Sequence, residues 1–178
     1  RRRISLSPPA VVQVFLHKNL TVVRSINTFS AFLLVLVSAL ILVAVHQEKI
    51  IAITVGSWES PFGISLVVDY FSSIMILVSS IIFSATAIYT LGFIHIEREK
   101  YYFYPITQIL MLGINGSFFT GDIFNLFVWF EVMLISSFVL MSLGGKKAQL
   151  EGALKYVVIN LISSAIFLSA TGMLFGIT

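Results

Sequence analysis

Glu131 stands alone in "FNLFVWFEVMLIS", residues 124–136, a stretch that is otherwise almost wholly apolar. A charged side chain at the centre of a spanning helix costs roughly 2.5–3.5 kcal/mol on insertion scales, and such groups face a protein interior or a water file. Two chemistries fit. A carboxylate poised between desolvation, which favours the acid, and a nearby cation, which favours the anion, loads and releases a proton. A permanently protonated glutamic acid instead acts as hydrogen-bonding glue between helices. Lys155, in "EGALKYVVIN", is the second candidate. Read one way it is a snorkelling lysine with its ammonium at the interface. Read the other way it is an entry-side member of a proton or cation path. Asp69 reads as an interfacial charge near the end of a span. The three histidines, His17, His46 and His95, lie at span ends, and no two share a helical turn.

Other chemistries find no support. The chain contains no cysteine, so disulfides, thiolate metal sites and cysteine nucleophiles are excluded. No metal-ligand spacing, glycine-rich nucleotide loop, HExxH motif or serine-triad signature occurs, and neither a metal nor a cofactor is expected. The net charge of +3 does not point to nucleic acid, because the basic residues lie at the ends of apolar runs and not on one face.

The elements that must position Glu131 follow from composition. Of 178 residues, 58% are hydrophobic and 11% are charged, with a mean hydropathy of +1.01. Soluble domains carry about 25% charged residues, so this chain belongs in a lipid bilayer. Backbone polar groups in lipid must be paired within the segment, so the apolar runs are helices. The expected fold is all-α, a polytopic transmembrane helix bundle. It has about five full spans, at residues 25–45, 63–94, 103–119, 123–143 and 152–175. A partial first helix, residues 10–16, precedes them. The whole of residues 1–178 reads as one transmembrane unit. Arg1 to Pro9 make a poor start to a helix and the chain stops straight after an apolar run, so it reads as a piece of a longer protein.

Connections carry their own signals. Residues 50–63 alternate and then turn, as a small β-hairpin at the membrane surface does. In Thr120–Gly121–Asp122, glycine can end one helix and aspartate can cap the next. Lys146 and Lys147 follow a double glycine. Lys18, Arg24, Arg98, Lys100, Lys146 and Lys147 fall on one side of the expected bundle, against Lys49 on the other. The basic side is cytoplasmic by the positive-inside rule, which leaves the hairpin external. Tyr101, Tyr102 and Tyr104 read as an interfacial aromatic belt. Trp58 reads as its counterpart outside, and Trp129 as a packing residue within its span. Small residues recur at Gly113, Ser117 and Gly121, and at Ala165, Ser169, Gly172 and Gly176. These stripes predict close packing of the third and fifth spans around the helix that carries Glu131.

At "TGDIFNLFVWFEVMLISSF" and "LKYVVINLISSAIFLSATGMLFGIT" the sequence closely resembles the antiporter-like membrane subunits, and "GSWESPFGISLVVD" fits them as well. This superfamily holds the D subunits of the multisubunit (Mrp-type) Na⁺/H⁺ antiporters and the antiporter-like subunits of respiratory complex I. "TGDIFNLFVWFEV" points to the D subunits. The resemblance implies a chain of about fourteen helices built around two inverted five-helix repeats. It further implies a membrane subunit in a bacterial cell membrane, partnered by the other antiporter subunits, exchanging Na⁺ or another monovalent cation for H⁺. A proton-translocating subunit of an NADH–quinone oxidoreductase is the alternative, and a non-transporting structural piece is a third. Carried over, Glu131 is the glutamate of helix five that pairs with a lysine of helix seven. That lysine would lie beyond Thr178. Lys155 matches the lysine at the start of helix six. A direct Lys155–Glu131 pair is not expected, because the sequence spacing puts the two at different depths.

Overall fold

The structure is a computed structural model, and it describes residues 8–15, 19–55, 63–94, 98–99 and 101–177. Helix α1 (Pro8–Phe15) leads into α2 (Leu20–Glu48). Strands β1 (Ile51–Val55) and β2 (Ile64–Val68) follow, then α3 (Tyr70–Phe93), α4 (Phe103–Phe119), α5 (Ile123–Ser142) and α6 (Lys147–Ile177). Arg1 to Arg3, His17, Lys18, Trp58, His95 and Lys100, singled out in the sequence, lie outside the described residues.

Among the described residues four helices, α2, α3, α5 and α6, are long and apolar enough to cross a membrane. Five full spans were expected. The remaining one, α4, has 17 residues, at the short limit of what bridges a hydrocarbon core. It is also more enclosed than its neighbours, with Tyr104, Gln108, Met111, Gly113 and Asn115 buried.

Three span starts differ from the sequence reading. Helix α2 begins at Leu20, five residues before the expected 25. The second span begins at Tyr70, not near residue 63, because Ile64–Val68 is a strand. It pairs antiparallel with β1, from Ile51 opposite Val68 to Val55 opposite Ile64. Apolar, β-branched residues suit a strand and a span equally well by hydropathy. Asp69 decides the matter locally by capping α3, its carboxylate accepting a 2.8 Å bond from the Ser72 amide. That bond holds the Asp69 carboxyl below the usual carboxylate range. Helix α6 begins at Lys147, five residues before the expected start at 152, since Lys147 to Glu151 are good helix formers, three of them polar. Gly144 and Gly145, at φ of 112° and 63°, turn the chain back between α5 and α6 in a backbone region that disfavours side chains.

Burial is inverted relative to a water-soluble bundle. Large apolar side chains such as Phe29, Leu40, Phe71 and Ile166 face outward, while Asn27, Ser38, Ser73, Ser80, Gln108 and Asn115 are buried. Helices in lipid gain nothing by hiding leucine from lipid, so they pack through small and polar groups. An apolar cluster of Ala31, Phe83, Ala87 and Met111 lies where α2, α3 and α4 meet.

Candidate functional site

Helix α5 is fixed at its start by the turn before it. Asp122 caps it, accepting 3.2 Å bonds from the amides of Phe124 and Asn125. Thr120 Oγ1 accepts a 2.9 Å bond from Asn125 Nδ2. The hairpin buttresses this turn, with the Gly121 amide donating to the Ser65 carbonyl at 2.9 Å. Asp122 therefore does what its position suggested. Gly121 does something else. Its φ is not positive, and a Cβ there would come within 2.6 Å of Val67 Cγ2. The glycine is required for close approach of β2, not for ending α4.

Helix α5 then lies directly on α4. A Cβ on Gly113 would sit 2.8 Å from Met133 Cγ, and one on Gly116 would fall within the indole of Trp129. The seam is thus Gly113 and Gly116, not the expected Gly113–Ser117–Gly121 row. Ser117 turns its hydroxyl back to the Ile114 carbonyl at 2.7 Å. The expected α6 stripe is not packed either, since Ala165 and Ser169 are exposed and a Cβ on Gly172 or Gly176 would meet nothing within 4 Å.

Glu131 emerges from this platform half-buried, with its Oε1 buried and without a hydrogen-bond partner. Among the described residues it makes no ion pair. The neighbouring Trp129 Nε1 is also buried and unpartnered. A cavity of 490 Å³ lies between α4, α5 and α6, lined on the α5 side by Phe127, Phe130, Met133 and Leu134, and Glu131 is not among its lining residues. Ser137, Tyr156, Asn160, Ser163 and Ser164 supply its polar wall. An ionised carboxylate left this way is costly, so the site as it stands calls for a proton, a water or a cation.

Lys155 does not supply the cation. Its Nζ pairs with Glu151 Oε1 at 2.7 Å on the exposed surface of α6, one turn away. The absence of a Lys155–Glu131 pair was expected, but depth is not the reason. Glu131 lies eleven residues from the end of α5 and Lys155 eight from the start of α6, so at 1.5 Å per residue the two differ by only about 4–5 Å in height. They differ in the face they occupy.

A second charged site was missed by sequence reasoning. Glu99, in the α3–α4 connection, has a fully buried carboxylate. Arg24 of α2 grips both of its oxygens, Nε to Oε1 at 2.9 Å and Nη2 to Oε2 at 2.6 Å. Tyr104 Oη donates to Oε1 at 2.6 Å. Burial pushes the Glu99 carboxyl up, but the bonds from Arg24 and Tyr104 outweigh it and hold the group below the usual range. Tyr104 is therefore not part of an interfacial belt. It is 1% exposed, whereas Tyr101 and Tyr102 are exposed. The available signal was an acid, Glu99, among basic residues at the same end of the bundle as Arg24.

The transmembrane-domain family described as NADH:quinone oxidoreductase/Mrp antiporter matches residues 120–178, the segment from the α5 cap through α6. The D subunit of the Na⁺/H⁺ antiporter of Alkalihalophilus pseudofirmus is 44% identical over 173 residues, which cover 96% of this chain and 35% of that protein. Over nearly its whole length the chain is similar to Mrp antiporter D subunits. The Bacillus subtilis member is 36% identical, over 95% of this chain and 34% of its own length. Among solved structures, the Mrp complex from Dietzia superposes with a TM-score of 0.86 at 25% identity, over 95% of this chain and 32% of that one. The archaeal membrane-bound sulfane sulfur reductase, a respiratory membrane complex, superposes with a TM-score of 0.85 at 27% identity, over 94% of this chain and 35% of that one. The chain spans about a third of the length of the curated relatives it matches. The match to a transmembrane family over residues 120–178, the four apolar helices and the bacterial relatives make it a multi-pass membrane protein of bacterial type.

Proposed function

We propose that residues 1–178 are the N-terminal part of an antiporter-like transmembrane domain, within a membrane subunit of a multisubunit cation/proton antiporter. The intact subunit, assembled with the other antiporter subunits, exchanges cytoplasmic Na⁺ or another monovalent cation for external H⁺. Glu131 is its protonatable switch. The observation that carries this reading is the buried, unpartnered Glu131 Oε1 on a spanning helix, inside the segment matched by the antiporter family. A carboxylate without a fixed partner is free to alternate between holding a proton and pairing with a cation brought to it, whereas a structural acid would be saturated with donors. Lys155, exposed and paired with Glu151 on α6, is the second candidate for the proton path. The lipid bilayer is the medium, and no cofactor takes part.

Glutamine at position 131 keeps the hydrogen bonding and most of the volume but cannot ionise. Glu131→Gln in the intact subunit is expected to assemble normally and to lose cation-dependent collapse of a pH gradient in vesicles. Glu131→Asp should retain part of it. Wild-type exchange by the glutamine variant would sink the switch. The orientation is tested by single cysteines in this cysteine-free sequence. A cysteine at Lys146 should resist an impermeant thiol reagent applied outside intact cells.

A second reading has its own support. The likeness to an archaeal respiratory membrane complex suits a proton-translocating subunit that a redox partner drives. Gradient formation that requires a reductant, and not Na⁺, would favour it.

A further inference from the structure

Helix α4 has two working faces. One carries Gly113 and Gly116 against the Glu131 helix. The other carries Tyr104, Gln108, Met111 and Asn115, all buried and spaced so that they form one stripe toward α2 and α3. Three of these four are polar, and each of the three has a polar partner. Tyr104 bonds Glu99. Gln108 Nε2 donates to Asn27 Oδ1 at 2.9 Å and to Ser30 Oγ at 2.5 Å. Asn115 Oδ1 accepts from Ser79 Oγ at 2.9 Å. Met111 is the only apolar member, and it sits in the cluster with Ala31, Phe83 and Ala87.

Gln13 adds an independent observation. It is 0% exposed, and neither its Oε1 nor its Nε2 has a hydrogen-bond partner. Helix α1 packs on α4 and α2. Its buried positions are Ala10 and Gln13, while Val11, Val12 and Val14 are exposed, so the Gln13 amide is on the face turned to the α2–α4 seam. A buried amide with both atoms orphaned is rare, and an ordered water is its usual partner. A cation is a poor occupant. The nearby carboxylate, Glu99, already holds three donors from Arg24 and Tyr104, and the remaining groups are neutral amides and a hydroxyl. Water, which both donates and accepts, satisfies the two ends of an amide.

We propose that Gln13, Asn27, Ser30 and Gln108 enclose a buried water site on the Arg24 side of the bundle, and that the Met111 layer seals it from Ser79 and Asn115. Arg24, whose side chain is 34% exposed, marks the water-facing end of the bundle on this side. The layer has to be dry, because a continuous polar stripe from Tyr104 to Asn115 would give protons a route past Glu131. The water site lies on the opposite face of α4 from Glu131 and does not rest on the exchange reading, whereas the dry layer does.

The test uses the full-length protein assembled in its membrane complex, in vesicles without Na⁺, with the decay of an imposed pH gradient as readout. Met111→Asn and Met111→Ser should speed the passive decay several-fold, while Met111→Leu, close in volume, should not. Adding Gln108→Leu to either polar variant should restore the slow decay by removing the wet side of the stripe. Assembled Met111→Asn or Met111→Ser vesicles that hold the gradient like wild type would overturn the seal. So would a leak indifferent to Gln108→Leu. The water itself is read without any variant, as density within hydrogen-bonding distance of the Gln13 amide in a high-resolution map of the complex. A map that shows other buried waters but none there would overturn the site.

Discussion

Two buried carboxylates flank helix α4 and are treated in opposite ways. Glu99 is enclosed completely, gripped at both oxygens by Arg24 and bonded by Tyr104. Glu131 is half-buried on a spanning helix, with one oxygen sealed from solvent and given nothing to bond. A saturated acid has one stable charge state and ties elements together. An unsaturated one is costly in its charged state until something arrives, and so responds to what arrives. The difference separates holding a fold from operating it.

The comparison breaks most sharply at Glu131. Glu131→Gln should abolish exchange by the intact subunit while leaving thermal stability of the extracted complex near wild type. A large fall in stability would make Glu131 a second Glu99. Next in size is Glu99→Gln, which leaves the Arg24 guanidinium facing a neutral amide. Breaking a buried ion pair costs about 3–5 kcal/mol, and partial exposure of Arg24 puts the expected loss near the lower end. The readout is the thermal midpoint, with exchange per assembled complex much less affected.

Acid should expose the same asymmetry. The Glu99 carboxyl is held below its ordinary value in the folded state. Its contribution is therefore fully present above the ordinary glutamate range and is lost as pH falls through the lowered folded value. The midpoint should drop on that acid limb in wild type, and the limb should flatten in Glu99→Gln. An unchanged limb would mean that other acids dominate it.

Smaller effects sharpen the contrast. Tyr104→Phe removes one hydrogen bond to a charged acceptor and should cost about 1.5 kcal/mol, measured by the same midpoint. Lys155→Gln breaks only an exposed pair one helical turn apart, worth roughly 0.3–0.5 kcal/mol. Its stability should hardly move, so any fall in exchange would report a place in the proton path.

Composition and hydropathy alone specify a bundle of lipid-facing helices, because lipid forces every backbone bond inward whatever the neighbours do. Asp122 as the cap of α5 and the solitary Glu131 were legible for the same reason, since a capping bond and a desolvation cost depend on local chain and depth. The start of β2 was not legible, because apolar β-branched residues fit a strand or a span until pairing with β1 decides. Nor was the pairing of Arg24 with Glu99, 75 residues apart. Arg24 read only as one of the basic residues at the span ends, and Glu99 was not singled out. Only the packing of α2 against the start of α4 removes Glu99 from water and places Tyr104 above it. The face of Lys155 was set in the same way. Its height and its pairing with Glu151, four residues earlier on the same helix, follow from counting residues, but the way it faces relative to Glu131 follows from the rotation of α6, which contacts with α5 determine.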